Sequence, residues 1–425
     1  MKRILITGAG NLRNNGIYAM VVGVYQGFLQ KNCSTKFYML SARKKEDEDI
    51  LQNTNITVLE KHWFLRRKNK FFFAFGVFED IFLLALGRFF NIKSKQQSLN
   101  VYKTCDLVID LSGDSISSDY GNYSLFFALY EIFLGIVAKR KVILLGQTLG
   151  PFKGKLTRLI TKYILKRTDK IVLREEKSKE YLDKIGFSHN NIVLSGDNAF
   201  LLEPDFDSAK KVLSKENIVL DDSKLIGFSP SCLIYNWFKD PLSSEDKQKE
   251  YLRQLSLLID SLIMKYHYKI VFIPHVVLPY GDDSKICREI YNNVKNKDMV
   301  HLIENYYNGS VLKAIMSRLH FMIAFRMHAA INALSIGVPT ACWAYNYKFQ
   351  GIIGKKLGLS KYIIDIRECT LKQGVEKLES VVDNLNKDRQ ATKILIDKNV
   401  LKEKEKAMQN IEMALELLNQ NSQNT

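Results

Sequence analysis

The chain has 425 residues, of which 46% are hydrophobic and 25% are charged. These values are typical of a globular protein and exclude a fibrous or intrinsically disordered one. At about 150 residues per domain, the length predicts two or three domains. Lysine and arginine (62) outnumber aspartate and glutamate (45), so the formal net charge is +17. This excess favours anionic partners, namely phosphorylated small molecules, nucleic acid or an acidic membrane surface.

Cysteine spacing and apolar runs restrict the class of protein further. The six cysteines are far apart and form no CxxC pair, so we predict reduced thiols and no disulfide framework or zinc site. The N-terminal segment enters a strand without a cleavable apolar run, which predicts a cytoplasmic protein. The apolar segments 71–90 and 124–139 carry charges or are too short to span a membrane, and we predict helices there.

Short apolar runs alternate with longer amphipathic ones, the pattern of parallel βαβ units. The predicted strands of the first half are 3–7, 36–40, 106–111, 142–145, 170–173 and 192–194. Those of the second half are 225–229, 269–273, 300–302, 321–324 and 339–342. We therefore predict an α/β protein with two doubly wound, Rossmann-like domains, 1–203 and 224–368. A third segment, 369–425, is predicted to hold closing helices and a polar tail.

Glycine-containing loops follow three predicted strands of the first half. The loop that starts at Gly8 begins like a dinucleotide fingerprint, but Arg13 replaces its third glycine and no acidic residue ends the second strand, so we expect no nicotinamide site. Ligands of α/β sheets bind at the carboxyl ends of strands, so the loops predict a ligand cleft, although ordinary tight turns are the alternative. The candidate binding residues are Gly10, Asn11, Gly113, Asp114 and Gln147.

Two further strand ends carry residues suited to chemistry. Arg174 follows the strand 170–173 and is predicted to point into the same cleft, or else to be a surface residue paired with Glu175 or Glu176. His275 ends the strand 269–273, shortly before Asp282-Asp283. A metal site there is the weaker interpretation, because acidic residues are favoured at helix starts by the helix dipole alone.

The sharpest local motif is Arg326-Met327-His328-Ala329, at a predicted strand-to-helix junction. Helix N–H groups face ligands at such a junction, and burying an arginine and a histidine there without function would be costly. We therefore predict that Arg326 and His328 are functional. The next strand leads to a loop that contains Lys348.

These motifs together resemble those of the polysaccharide pyruvyl transferases, in the family's order and up to about residue 365. The motifs that carry the resemblance are Arg174-Glu175-x-x-Ser178, Gly196-Asp197-Asn198-Ala199-Phe200, Pro274-His275 with Asp282-Asp283, Arg326-Met327-His328-Ala329, and Gly337-x-Pro339 with Tyr345-x-x-Lys348. The resemblance implies a two-domain fold of the glycosyltransferase B type with an active site in the interdomain cleft. It also implies transfer of pyruvate from phosphoenolpyruvate to a sugar, commonly as a cyclic ketal.

The loops of the acceptor half depart from the family pattern. Ile17 follows Gly16 where relatives often have an acidic or small polar residue, and Gly113-Asp114 stands where relatives often have consecutive glycines. The N-terminal domain is expected to bind the acceptor and the C-terminal domain the donor. These departures leave the identity of the acceptor sugar open.

Phosphoenolpyruvate carries a phosphate and a carboxylate, which arginine binds with two parallel hydrogen bonds. The reaction also needs a group that titrates near neutrality, for which histidine is suited. Together with the resemblance, this predicts His328 as general acid or base and Arg174 and Arg326 as anion clamps. His275 and Lys348 are predicted as further contacts. We expect no cofactor or metal, because arginines can neutralise the leaving phosphate.

Two other functions are left open by the sequence. One is a nucleotide-sugar-dependent glycosyltransferase of the same fold, and the other is a non-catalytic sugar- or nucleotide-binding subunit. No nucleic-acid-binding motif is present, so a nucleic-acid partner is not expected.

The segment 61–70 packs five lysines or arginines among Trp and Phe. It predicts peripheral binding to an anionic membrane, on whose inner face a lipid-linked acceptor would lie; a solvated basic loop is the alternative.

Overall fold

A computed structural model of the chain describes residues 1–61, 76–85, 94–218, 224–279 and 281–420. The chain divides into two compact units. Unit 1 contains Met1–Leu12, Met20–Leu201 and the residues from Glu405 onwards, and unit 2 contains Arg13–Ala19 and Leu202–Lys404. The boundary at 201/202 lies close to the predicted end of the first domain, at residue 203. The C-terminal segment, predicted as a separate part, is shared between the two units.

Unit 1 is built on a parallel sheet with the strand order β3-β2-β1-β4-β5-β6-β7. Its strands are β1 (Lys2–Thr7), β2 (Thr35–Ser41), β3 (Ile56–Glu60), β4 (Leu107–Asp110), β5 (Lys141–Gln147), β6 (Lys170–Leu173) and β7 (Ile192–Leu194). Every residue of β4 is buried, as expected for a parallel strand whose sheet is covered by helices on both faces.

The helices of unit 1 connect these strands. They are α1 (Asn15–Gln30, whose first residues belong to unit 2), α2 (Lys44–Ile50), α3 (76–85), α4 (Gln97–Thr104), α5 (Asn122–Val137), α6 (Lys155–Leu165) and α7 (Glu176–Lys184). Leu99 and Tyr102 of α4 and Ile132 of α5 are fully buried and pack into a common hydrophobic core with Val108 of β4.

Unit 2 has a second parallel sheet, in the order β12-β9-β8-β13-β14-β15, and a small antiparallel hairpin. The strands are β8 (Leu225–Ser229), β9 (Lys269–Phe272), β12 (Val300–Leu302), β13 (Phe321–Ala324), β14 (Thr340–Ala344) and β15 (Ile363–Asp365), with β10 (Val277–Leu278) and β11 (Gly281–Asp282) in the hairpin. Trp343 of β14 stacks on Phe325 in the core, with ring centroids 4.4 Å apart.

The helices of unit 2 include the predicted C-terminal ones. They are α8 (Phe206–Lys215), α9 (Ser244–Tyr266), α10 (Asp283–Asn293), α11 (Gly309–Met316), α12 (Met327–Leu334), α13 (Leu371–Lys387) and α14 (Arg389–Gln420), with a π-helix over Phe349–Lys356. The helix predicted to close the chain corresponds to α14, which continues into unit 1. Val400, Ile411 and Leu418 of this helix are buried, whereas Leu401 is exposed.

Each sheet has a point where the strand order reverses. In unit 1 the chain builds outward from β1 to β3 and returns to place β4 on the other side of β1; in unit 2, β8 and β13 are related in the same way. Ligands of open α/β sheets bind beside the carboxyl ends of the strands at such a switch point. The predicted doubly wound, Rossmann-like architecture is confirmed for both sheets.

All six cysteines are free thiols, as predicted. Within the described ranges, no helix has the length and apolar character needed to cross a membrane. The segment 124–139 falls largely in α5. Of the segment 71–90, residues 76–85 form α3, and the other half lies outside the described residues, as does all of 61–70 except Lys61.

Candidate active site

The switch point of unit 2 holds Arg326, which directly precedes α12. Its Nε and Nη2 donate to the two carboxylate oxygens of Asp283, at 3.1 and 2.8 Å. The backbone N–H groups of Cys232 and Val276 donate to the same carboxylate, at 3.2 and 3.0 Å. A fully buried carboxylate with four donors is satisfied, so Asp283 fixes the position of the guanidinium.

Arg326 keeps donor capacity for a ligand. Its side chain is 12% exposed, and Nη1 makes no hydrogen bond to the part of the chain that the structure describes. Burial lowers the pKa of Arg326, but the charge and hydrogen bonds of Asp283 more than offset this and raise that pKa above its ordinary value. Arg326 is therefore a permanent, oriented cation whose remaining N–H groups suit a phosphate or a carboxylate.

His275 lies beside this cation, in the loop that follows β9. It is 1% exposed, and neither ring nitrogen has a hydrogen-bond partner among the described residues. Burial lowers the pKa of His275 well below its usual value, and the positive charges of His328 and Arg326 lower it further. The structure thus brings His275, His328 and Arg326 together in one electropositive cluster, in which His275 is neutral at neutral pH.

The N-terminal residues of α1 form another wall of this cluster. The N–H of Asn15 donates to the carbonyl of His275 at 3.1 Å, and the N–H of Val277 donates to the carbonyl of Arg13 at 3.0 Å. A Cβ on Gly16 would overlap the ring of His328, since it would lie 2.7 Å from Cγ and closer still to Nδ1. Only glycine at position 16 lets His328 occupy this place.

We therefore expect Gly16→Ala to reduce kcat without unfolding the protein, because the added methyl group displaces the His328 ring. Gly281→Ala is a matched control, since its Cβ would meet only Leu233, at 3.8 Å. Steady-state kinetics and thermal unfolding of both variants test this. Unchanged kcat in Gly16→Ala would show that the ring position does not matter.

Lys348 follows the neighbouring strand β14 and directly precedes the π-helix. It is 7% exposed, and burial lowers the pKa of its ammonium to about 7. A π-helix is rare and often marks a functional segment. The structure therefore supplies a lysine that can gain or lose its proton near neutral pH.

Arg174, a predicted site residue of unit 1, is buried and already paired with a carboxylate. It is 1% exposed, so the alternative of a surface arginine paired with Glu175 or Glu176 is wrong. Its Nη1 pairs with the buried Asp197 at 2.9 Å, and its Nε donates to Thr148 Oγ1 at 2.9 Å. Its Nη2 lies 3.8 Å from the Cβ position of Gly113, so the structure brings these two predicted residues together.

Gln147 and the Gly8 turn meet at the switch point of unit 1. Gln147 Nε2 donates to the backbone oxygen of Asp110 at 2.9 Å. The Asp110 carboxylate accepts hydrogen bonds from Thr7 and Ser112, and burial raises the pKa of Asp110 to about 6. Gly8 has φ +72°, and a Cβ there would overlap Ser112 Oγ, so this strand-end turn requires glycine.

The other predicted residues of unit 1 are less enclosed. Gly10 is exposed. Asn11 donates to Glu46 at 3.3 Å, and Asp114 accepts a hydrogen bond from Tyr120. Asn11 and Asp114 are half-buried, so these three residues are more accessible than Gln147, which is fully buried.

The weaker metal interpretation is not supported. Asp283 is engaged by Arg326, and Asp282 accepts a hydrogen bond from the N–H of Ser284 at the start of α10. Within residues 1–61, 76–85, 94–218, 224–279 and 281–420, no group of three or more His, Cys, Asp or Glu could hold a metal ion.

Sequence reasoning missed three partners that complete these sites. Asp283 and Asp197 both belong to motifs that carry the family resemblance, but the sequence does not predict that either carboxylate pairs with an arginine. Gly16 is noted only for its neighbour. A buried arginine requires a carboxylate, so Arg174 and Arg326 each signalled an unseen acidic partner.

Comparisons with known proteins bear on the family to which the chain belongs. A family model described as polysaccharide pyruvyl transferase matches residues 24–347. The amylovoran biosynthesis protein AmsJ of Erwinia amylovora is 24% identical over 298 residues, which are 68% of this chain and 68% of that protein.

Solved structures resemble the whole chain at low sequence identity. The UDP-GlcNAc 2-epimerase of Neisseria meningitidis bound to UDP-GlcNAc has a TM-score of 0.59 at 13% identity, covering 98% of this chain and 99% of that one. The UDP-GlcNAc 2-epimerase of Methanocaldococcus jannaschii has a TM-score of 0.56 at 15% identity, covering 90% and 92%. Anabaena Alr3699/HepE in complex with UDP-glucose has a TM-score of 0.55 at 10% identity, covering 99% and 100%. At such identities the likeness concerns the fold alone, which is of the predicted glycosyltransferase B-like type.

Proposed function

Because this chain belongs to the polysaccharide pyruvyl transferase family, we propose that it transfers pyruvate from phosphoenolpyruvate to sugar hydroxyls, forming a ketal. The acceptor is a cell-surface polysaccharide or its lipid-linked precursor. The observation that carries the proposal is the cluster of unit 2, where Arg326, held by Asp283, keeps free donors beside His328 and the neutral His275. Such a cluster is suited to an anionic donor and to proton transfer.

The proposed reaction conserves atoms and protons. A proton adds to the methylene carbon of phosphoenolpyruvate, so the adjacent carbon becomes an electrophile that one sugar hydroxyl attacks. The bond from that carbon to the phosphate oxygen breaks, and phosphate leaves with the electron pair. A second hydroxyl then attacks the same carbon and closes the ketal. The two hydroxyl groups release two protons. One restores the proton that was donated to the methylene carbon, and the other goes to phosphate or solvent.

The side chains of unit 2 divide these tasks. His328 donates the proton to the methylene carbon and later accepts one from a hydroxyl. Arg326 binds the phosphate or the carboxylate through Nη1, and Lys348 and His275 provide further contacts. The neutral ring of His275 can donate one hydrogen bond to an anion without adding charge.

The predicted role of Arg174 as a second clamp stays a prediction. Its charge is already matched by Asp197, which supports a smaller contribution to anion binding than that of Arg326. The acceptor contacts Gly10, Asn11, Gly113, Asp114 and Gln147 also stay predictions.

The donor is tested with labelled phosphoenolpyruvate and a panel of soluble and lipid-linked oligosaccharides. We expect release of one phosphate per pyruvate incorporated and, in D₂O, one deuterium in each new methyl group. Activity should persist in a chelator. The glycosyltransferase alternative is tested in parallel with UDP-sugars. Transfer of sugar from a UDP-sugar without incorporation of pyruvate would overturn the proposed reaction. Activity that requires an added divalent cation would overturn its metal-free form.

The pH dependence should reflect Lys348. Burial lowers the pKa of Lys348 to about 7, so the side chain is a cation below that pH and neutral above it. If the cation contacts the donor, kcat/KM falls about tenfold per pH unit above about pH 7. Lys348→Met should lower kcat/KM at acidic pH and remove this slope, whereas Lys355→Met, at an exposed position, should retain it. An unchanged slope in Lys348→Met would assign the titration to another group.

A further inference from the structure

Three helices of unit 1, α3, α5 and α6, present a shared set of exposed apolar side chains, which we call the apolar helix face. Of the 21 large hydrophobic residues that are exposed in the described part of the chain, nine lie in these helices or just before α5. They are Phe78, Phe82, Tyr120, Tyr123, Phe126, Leu156, Leu159, Ile160 and Tyr163. A concentration of this kind on a soluble surface indicates an interaction site.

A groove runs through this face. Its volume is about 440 Å³, and it is lined by Val77 of α3, Phe126 and Phe133 of α5, and Leu159 and Tyr163 of α6, among other apolar or aromatic residues. Among the described residues, no charged side chain lines it. The groove is therefore suited to hydrocarbon.

The sequence of α6 gives the face an apolar stripe with positively charged residues beside it. Leu156, Leu159, Ile160 and Tyr163 recur at helical spacing and form one exposed stripe, while Ile164 and Leu165 face the core. Beside the stripe, exposed cations include Lys155, Arg158, Lys166 and Arg167. No acidic residue occurs between positions 153 and 168. An exposed apolar stripe edged by cations is the pattern of a helix that lies in a membrane interface.

We propose that the apolar helix face docks on a lipid bilayer that contains anionic lipids. The charge of α6 selects this occupant over a second copy of the chain. A two-fold contact through the face would place the cationic edges of both copies in one self-complementary interface, where they repel. Anionic headgroups attract those cations, and the groove and stripe enter the hydrocarbon boundary.

This surface differs from the basic segment 61–70 predicted from the sequence. Lys61, the member of that segment within the described residues, is buried and pairs with Glu131 at 2.6 Å, so it is not available to headgroups. The docking proposal does not rest on the proposed pyruvyl transfer, because binding to vesicles is measured without turnover.

Co-sedimentation with phosphatidylcholine vesicles, with and without phosphatidylglycerol, tests the proposal. We expect salt-sensitive binding that requires phosphatidylglycerol and falls about tenfold or more in Lys155→Glu/Arg158→Glu. Leu156→Ser/Leu159→Ser should lose binding even at low salt. Matched controls are Lys210→Glu/Lys211→Glu, on exposed positions of α8, and Ile394→Ser/Leu401→Ser, whose side chains are 63% exposed compared with 69% and 65% for Leu156 and Leu159. The controls should bind like the wild type.

Three results would overturn the proposal. One is equal binding of the wild type and both α6 variants. Another is loss of binding only in Arg66→Glu/Arg67→Glu/Lys68→Glu, which would place the contact in the segment 61–70. The third is a concentration-dependent dimer in sedimentation velocity that Leu156→Ser/Leu159→Ser dissociates, which would make the face a contact between copies.

Discussion

Replacing His328 with glutamine is expected to lower kcat by about 10²–10⁴-fold, the usual contribution of a general acid or base. Glutamine preserves the polar character of the side chain, but its amide does not titrate near neutral pH and so cannot act as a general acid or base. Because His328 is assigned to the proton and Arg326 to the anion, KM for phosphoenolpyruvate should change little. Steady-state assays of phosphate release measure kcat and KM, and thermal unfolding checks that the variant is folded.

The control for this substitution is His189→Gln, at the amino end of β7, away from the carboxyl ends where the sites lie. It should retain wild-type kinetics. The reaction in D₂O adds a second readout, since the little product that His328→Gln forms should still carry deuterium from solvent. Turnover within a few-fold of wild type in His328→Gln would remove His328 from the proton-transfer role.

The sequence predicted most strands well because parallel sheets require continuous apolar runs. Strands β6, β8 and β13 have the predicted bounds, since each is a short buried run between polar residues. Two strands of the parallel sheets were missed, as was the hairpin of β10 and β11. β3 (Ile56–Glu60) has exposed residues among its buried ones, and β15 (Ile363–Asp365) has two isoleucines followed by an aspartate, so neither gives the continuous apolar run that identifies an inner strand.

The site was predictable in part, because its residues follow strands that could be predicted. The carboxyl ends of parallel strands lie on one edge, so residues that follow predicted strands, such as Arg326 and His275, could be grouped without a structure. Their partners could not. Asp283 precedes Arg326 by 43 residues and Gly16 precedes His328 by 312, and each contact depends on strand order and packing that a single sequence does not specify.

Replacing Arg326 with lysine is expected to lower kcat/KM by about 10²–10³-fold, the loss typical of removing one preorganised hydrogen-bond donor to developing charge. The guanidinium serves two partners at once. Nε and Nη2 hold both oxygens of Asp283, and Nη1 is left for the ligand. The three N–H donors of a lysine ammonium all lie on one nitrogen, so it cannot hold both oxygens of Asp283 and also reach the anion in the arginine geometry.

Arg253→Lys separates this effect from the general cost of losing a bidentate pair. Arg253 donates from Nε and Nη2 to both oxygens of Glu250, at 2.8 and 2.6 Å, but on the exposed side of α9. Exposed ion pairs contribute little to stability, so this variant should keep wild-type kinetics and nearly the wild-type unfolding temperature. For Arg326→Lys, the loss in kcat/KM, expressed as a free energy, should be far larger than the loss in the free energy of unfolding.

Asp283 provides the complementary test of the same arrangement. Asp283→Asn keeps the shape of the side chain but removes the charge opposite a largely buried guanidinium, and breaking such a pair costs about 3–5 kcal/mol of unfolding free energy. Because the freed Arg326 charge is then neutralised by an anionic ligand, phosphoenolpyruvate should raise the unfolding temperature of Asp283→Asn more than that of the wild type. An equal shift in both proteins would mean that Arg326 does not contact the donor, and near-normal turnover in Arg326→Lys would lead to the same conclusion.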